Sequence, residues 1–217
     1  MASESSFVPP PRPWQSGPSA NVPRIPLALV SLGFFRRDKG IESVLVALWM
    51  LKRSGLQFSY LIAGEPQRQF VGQEEYLCEI RALVNALDLQ DNVTVLDSFL
   101  TVSEQLQAIQ NCHAGVFAYQ DPTHASSGTI PLVLSAGRPV ICTPFEYALT
   151  KQTELDGITI ATGFGPEAIA KTFLTFSRAR DDYRCVTELL YRNTRAWTWR
   201  LTGTRYLEEF RIAAHQS

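Results

Sequence analysis

Two short stretches of this 217-residue chain carry residues whose types and spacing suit an anionic ligand. The first, Gly33-Phe34-Phe35-Arg36-Arg37-Asp38-Lys39-Gly40, places three cations immediately before an apolar periodic segment. Cations at a helix start oppose the helix dipole and are mildly unfavourable without an anion to balance them. Arg36 and Lys39, together with the unbonded amides of a helix start, therefore suit a phosphate or pyrophosphate. The same composition also fits a solvated basic turn. The second stretch, Asp121-Pro122-Thr123-His124-Ala125-Ser126-Ser127-Gly128-Thr129, ends in small hydroxyl residues ahead of the apolar run Ile130 to Ala136. Ser127, Gly128 and Thr129 can form an anion nest there, with Gly128 permitting close backbone approach. The competing reading is an N-cap, with Ser126 or Ser127 satisfying the first turn.

Other chemistries find less support. His124 could serve as a base, but no Asp or Glu is spaced as its orienting partner, so a surface or hydrogen-bonding role fits as well. No catalytic residue can be named. Ser126 and Ser127 stand outside a Gly-x-Ser-x-Gly elbow, which disfavours a hydrolase triad. The chain has no Asp-x-Asp, no Walker lysine loop and no complete Gly-x-Gly-x-x-Gly. Its nearest approach, Gly163-Phe164-Gly165-Pro166, follows the last expected strand, and Pro166 lacks an amide that a pyrophosphate would use. Cysteines at 78, 112, 142 and 185 are too far apart for paired zinc ligation and read as isolated buried thiols in a reducing compartment.

These loops need a scaffold, and the rest of the sequence supplies one. A chain that is 45% hydrophobic and 19% charged is an ordinary globular domain, and a net charge of -1 provides no basic field for nucleic acid or anionic lipid. Seven of the thirteen prolines fall between positions 9 and 26. Residues 1–24 therefore read as a Pro/Ser-rich flexible tail that cannot offset its ordering entropy by burial. It lacks the basic start and apolar run of a signal peptide, and no apolar stretch approaches the ~20 residues of a membrane span, so a cytoplasmic protein without an integral membrane segment is expected. From Ile25 to Ser217 short apolar runs alternate with amphipathic stretches. Strands are expected at 26–32, 58–63, 93–96, 115–119, 139–143 and 158–161. Helices are expected at 39–54, 74–87, 103–111, 128–136, 167–179 and 199–213, with Gly55, Ser103 and Gly137 as boundary residues. Ile41, Val44, Leu45, Leu48 and Leu51 form the core-facing stripe of the first helix. The fold class is α/β: a single Rossmann-like domain, with a parallel sheet of about six strands and helices on both faces. Ligands of such sheets bind beyond the carboxyl ends of the strands, where both anion-friendly loops lie.

The segments Gly33 to Glu42, Leu61-Ile62-Ala63-Gly64, Asn92-Val93-Thr94-Val95, Ser127-Gly128-Thr129 and Ala136-Gly137-Arg138-Pro139-Val140-Ile141, in this order, resemble the C-terminal, donor-binding half of GT-B glycosyltransferases of the retaining family 4, group 1 type. Trp199, followed by Tyr206 and Phe210, is similar to that family's closing helix. The resemblance covers about residues 26 to 212. It implies transfer of a hexosyl group from a nucleotide-sugar to an acceptor hydroxyl, with no cofactor and no obligatory metal. It further implies that Lys39 contacts the pyrophosphate with Arg36 as a second cation. Gly33 lines the donor loop, and Ser127, Gly128 and Thr129 serve the distal phosphate. Ser98, Phe99 and Leu100 would lie beside the nucleobase.

The chain departs from that pattern in four ways. Phe34 stands where the family has an arginine, and Ala114 and Ala118 replace an Asp and a Pro. His124 and Leu132 occupy the positions of paired glutamates, and leucine cannot accept a hydrogen bond from a ribose hydroxyl. Some family members share the Ser-Gly-Thr version of this segment. Only the proline-rich tail precedes Ile25, where the family has an acceptor-binding domain. The expectation is a nucleotide-sugar-binding domain that works with a separate acceptor-domain protein partner. The alternatives are a degenerate, non-catalytic scaffold and a truncated remnant with an exposed patch of Phe145, Tyr147 and Trp197.

Overall fold

The computed structural model describes residues 26–66, 73–179, 183–195, 197 and 199–215. The expected tail lies outside the described residues. Six parallel strands, β1 (Leu27–Leu32), β2 (Phe58–Gly64), β3 (Val93–Asp97), β4 (Ala114–Phe117), β5 (Val140–Cys142) and β6 (Ile158–Ile160), form one sheet in the order β3-β2-β1-β4-β5-β6. That is the Rossmann order, with β1 and β4 adjacent where the direction of winding reverses.

Strand β1 shows why the sequence takes this form. Leu27 and Leu29 face one apolar core, while Val30 and Leu32 face the other, as a period of two requires of a strand covered on both faces. The first core is closed by α1 (Ile41–Arg53), α2 (Gln73–Ala86) and α6 (Pro166–Arg178). The second is closed by α3 (Val102–Gln110), α4 (Thr129–Ser135), α5 (Glu146–Glu154) and α7 (Tyr183–Thr194). The expected stripe on α1 is buried throughout, and each such side chain contributes about 1.5–3 kcal/mol relative to exposure. α8 (Trp199–His215) stands apart: every described side chain from 203 to 214 is exposed, with Tyr206 and Phe210 stacked at 6.3 Å.

Several boundaries differ from expectation for identifiable reasons. The first helix begins at Ile41, because residues 37–39 form a separate 3-10 turn that Gly40 ends with φ +64°. A Cβ at Gly40 would lie 2.0 Å from the Ala118 carbonyl oxygen, so both backbone angle and space demand glycine. α3 is capped by Thr101, not Ser103: Thr101 and Glu104 form a reciprocal capping box. Helix α5 was hidden in the sequence because it buries only Ala148 and presents no apolar stripe. α7 was likewise not expected.

Side-chain placement brings further corrections. Phe145 is fully buried and Tyr147 is half-buried, so the exposed patch expected from Phe145, Tyr147 and Trp197 does not form. Cys112 and Cys142 are buried, and burial pushes the Cys112 thiol up to about 12 and the Cys142 thiol higher still. Cys78 is exposed, contrary to the reading of all four cysteines as buried, because it lies on the outward face of α2. The side chain of Cys185 lies outside the described residues.

Gly40→Ala will lower the free energy of unfolding by roughly 2 kcal/mol or more, as read by urea denaturation. Thr101→Ala will lower it by about 1 kcal/mol through loss of the cap.

Candidate functional site

A cavity of about 390 Å³ opens where the carboxyl ends of β1, β2 and β4 meet. Its walls are continuations of the strand ladder. The Gly33 amide donates to the Ala63 carbonyl (3.1 Å) and the Phe35 amide to that of Glu65 (3.1 Å), so the loop after β1 keeps parallel register past the strand end. Phe35, 1% exposed, anchors this loop in the core. A Cβ at Gly64 would lie 1.6 Å from the Gly33 carbonyl oxygen, which shows how closely the two loops approach.

The crevice gathers most of the residues that the sequence singled out. Gly33, Arg36 and Lys39 line it from the β1 side, and Ser127, Gly128 and Thr129 from the β4 side. His124, Phe99 and Leu100 line it as well. Ser98 and Leu132 do not. The Ser98 amide is spent on the Gly64 carbonyl at 2.8 Å, and Leu132 lies on α4 against the second core.

Charge in the crevice is arranged differently from the sequence expectation. Arg36 is not an unbalanced cation, since its Nε and Nη2 donate to the two Asp38 carboxylate oxygens at 2.9 Å each. Arg37 points its fork at Glu79, 2.7 Å on both arms, and the guanidinium lies 5.0 Å from the Tyr76 ring. Lys39 has no carboxylate partner among the described residues. Its Nζ lies 3.7 Å from the centroid of the Tyr119 ring. Because the Arg36–Asp38 pair is partly solvated, with side chains 43% and 28% exposed, separating it costs on the order of 1 kcal/mol or less. A doubly charged ligand can thus recruit both Arg36 and Lys39.

Helix α4 supplies less than a long helix would. It spans seven residues, and Pro131 in its first turn has no amide to offer. The N-cap position of α4 is Gly128, not Ser126 or Ser127, but the Ile130 amide donates to Ser127 Oγ at 3.3 Å, so Ser127 satisfies a first-turn amide from one residue further out. The Gly128 and Thr129 amides have no acceptor among the described residues. The hydroxyls of Ser127 and Thr129 approach within 3.5 Å of one another.

Tyr119 links these parts, although the sequence showed it only as the last residue of an expected strand. Tyr119 is 5% exposed, and its ring stacks on Phe145 at 4.8 Å and meets the His124 ring edge-on at 4.5 Å. Its hydroxyl is 3.3 Å from Ser127 Oγ. The crevice also includes Glu65 and Gln105, for which the sequence offered no signal beyond their place after β2 and within α3. His124 has its protonation held below the ordinary histidine range, first by partial burial and then by the Lys39 charge, so a neutral imidazole faces the crevice at neutral pH. No group of three or more His, Cys, Asp or Glu among the described residues is placed to hold a metal ion, and no described helix is long and apolar enough to cross a membrane.

No protein-family model matches the sequence, and no curated protein matches it. Solved structures do match its fold. A sucrose-phosphate synthase from Thermosynechococcus elongatus superposes with a TM-score of 0.74 at 18% identity, over 90% of this chain and 47% of that one. A glycosyltransferase from Rickettsia africae gives 0.75 at 17% identity, over 92% and 50%. The Anabaena protein HepE, in complex with UDP and glucose, gives 0.71 at 13% identity, over 87% and 48%. The chain thus spans about half the length of the solved chains it matches. At these identities the likeness is one of fold: this chain has the Rossmann-like fold of one half of a GT-B glycosyltransferase.

Proposed function

We propose that the chain binds the nucleoside diphosphate of a nucleotide-sugar in the crevice between the β1 and β4 loops, as the donor-binding half of a retaining glycosyltransferase. The observation that carries the proposal is the convergence of Arg36 and Lys39 with the Ser127–Thr129 hydroxyls and amides on one cavity at the point where the sheet reverses direction. Departure of a nucleoside diphosphate from a sugar concentrates negative charge on its distal phosphate, and fixed cations stabilise that charge. In this proposal Lys39 holds the pyrophosphate, Arg36 exchanges Asp38 for a phosphate oxygen, and Ser127, Gly128 and Thr129 take the distal phosphate. The two cations supply the countercharge, so binding needs no divalent metal and persists in a chelator. The HepE structures, in complex with UDP and glucose and with UDP-glucose, lend support, since about half of that chain shares this fold. The proposal includes a partner domain that carries the acceptor, because the matching structures contain this fold within chains about twice its span.

A specific observation favours a second reading. Leu132 packs on the core, away from the crevice, and His124 is neutral, so neither position offers a carboxylate to the sugar or ribose hydroxyls. A module that binds the donor without transferring the sugar would look the same. Release of free sugar or transfer from UDP-glucose in the presence of candidate acceptor domains favours the first reading, and binding without turnover the second.

UDP, ADP or GDP will raise the melting temperature, by about 5–11 °C at a hundredfold excess over Kd, and Lys39→Ala will remove the shift. Affinity will fall as ionic strength rises. A flat thermal response to all three nucleotides, or an affinity indifferent to salt, refutes the assignment.

The pH dependence has a definite sign. An anion beside His124 offsets the Lys39 charge and raises the imidazole pKa, so the complex holds more protons than the free protein. UDP-glucose, which has no terminal phosphate titrating near 6, will therefore bind about threefold more tightly at pH 5.5 than at pH 7.5. His124→Gln will flatten that profile in calorimetric titrations.

A further inference from the structure

Lysine is a poor fixed charge, because its four-carbon stem is flexible and ordering it opposes binding. Lys39 is nonetheless found on the face of an aromatic ring, 3.7 Å from the Tyr119 centroid. That ring cannot follow the lysine into solvent. It is 5% exposed, stacks at 4.8 Å on the fully buried Phe145, and its backbone carbonyl accepts from the buried Thr143 hydroxyl at 2.6 Å. At its other end the Tyr119 hydroxyl lies 3.3 Å from Ser127 Oγ, which in turn accepts from the Ile130 amide at 3.3 Å. One side chain therefore touches the cation of the β1 loop and the hydroxyl cluster of the β4 loop.

We propose that Tyr119 is the positioning residue of this crevice: its ring holds the Lys39 ammonium where the diphosphate binds, and its hydroxyl fixes Ser127 relative to that cation. The inference rests on the diphosphate-binding reading and deepens it. Rigidity passes from the end of β5, through Phe145 and Thr143, to the Tyr119 ring and so to the lysine. Among the described residues the ammonium is pre-placed without a carboxylate, which matters because an acidic partner would compete with the phosphate and an aromatic face does not carry that repulsive charge. Ordinary core packing would need neither the hydroxyl nor the cation, and this difference makes the idea testable.

The test is a double-mutant cycle with UDP as the probe, read by titration calorimetry, supported by a lysine-selective NMR measurement. Tyr119→Leu will weaken UDP binding roughly tenfold, and Tyr119→Phe, which keeps the ring, about two- to threefold. In a Lys39→Gln background, which retains the aliphatic stem, Tyr119→Leu will cost only the roughly two- to threefold that belongs to the hydroxyl, because the cation its ring positions is gone. Independent, additive losses would mean that Tyr119 acts only through general packing and would overturn the proposal. In ligand-free protein the Lys39 ε-methylene resonance, assigned with Lys39→Ala, will show an upfield ring-current displacement that survives in Tyr119→Phe and vanishes in Tyr119→Leu. Its absence from the wild-type protein would also overturn the proposal, even if Tyr119→Leu failed to fold. Failure of the wild-type protein to bind any nucleoside diphosphate retires the functional reading together with this one. Binding that is weakened in Lys39→Gln yet shows no coupling to Tyr119 retires only the positioning role.

Discussion

The parallel pairing of β1 with β4 is the constraint on which the crevice depends. β1 pairs with β2 on one side, over Leu27 to Leu32, and with β4 on the other, at Leu29–Ala114 and Val30–Gly115. Right-handed crossovers carry the chain one way from β1 to β2 and the opposite way from β4 to β5, so the loops leaving β1 and β4 separate above the sheet. The gap cannot be filled by either loop without breaking register. What lines it is decided by two short backbone contacts: Gly40 against the Ala118 carbonyl, and the Gln120 amide donating to the Asp38 carbonyl at 2.9 Å. These hold Lys39 and Tyr119 on facing walls, close enough to touch.

Within that frame the charges divide by function. Arg37 faces Glu79 on α2, beside Tyr76, whose hydroxyl donates to Glu42 at 2.8 Å; this group staples the turn to the helices below it. Arg36 is held by its near neighbour Asp38, a local pair in partial contact with solvent and therefore weak. Among the described residues Lys39 meets only an aromatic face. A turn that reads as three equivalent cations thus contains one structural cation, one exchangeable cation and one poised in the crevice. The likeness of this arrangement to an anion site comes from the last two together with the Ser127–Thr129 hydroxyls and amides, not from the dipole of the short helix α4.

The fold was legible because its signals are local and repeated. Six apolar runs gave six strands to within about two residues, and the α1 stripe gave its buried face, since burial on both sheet faces and on one helix face writes directly into periodicity. α5 escaped because its single buried residue leaves no period to detect. In the site, Gly33, Lys39 and Ser127 to Thr129 were visible as types suited to anions, whereas their partners were not. Asp38 beside Arg36 was in plain view yet counted only as composition, and Glu79 lies more than forty residues from Arg37 in sequence, a distance no local motif spans. Tyr119 was missed for a related reason. An aromatic residue at a strand end is ordinary core material until the loop that brings a lysine onto its face is placed.

The uncharged side chain at 124 bears on what such a crevice can do. A glutamate there, about 5 Å from an ammonium, would attract it with roughly 3 kcal/mol at an effective dielectric near 20. That exceeds the ~0.5–2 kcal/mol of a cation–aromatic contact, so the lysine would turn toward the acid and away from Tyr119. A neutral imidazole exerts no such pull. A carboxylate would only accept hydrogen bonds, while the imidazole offers one donor and one acceptor nitrogen. With a histidine at 124 the Lys39 ammonium can stay on the Tyr119 face, and that is the placement the proposed phosphate role requires.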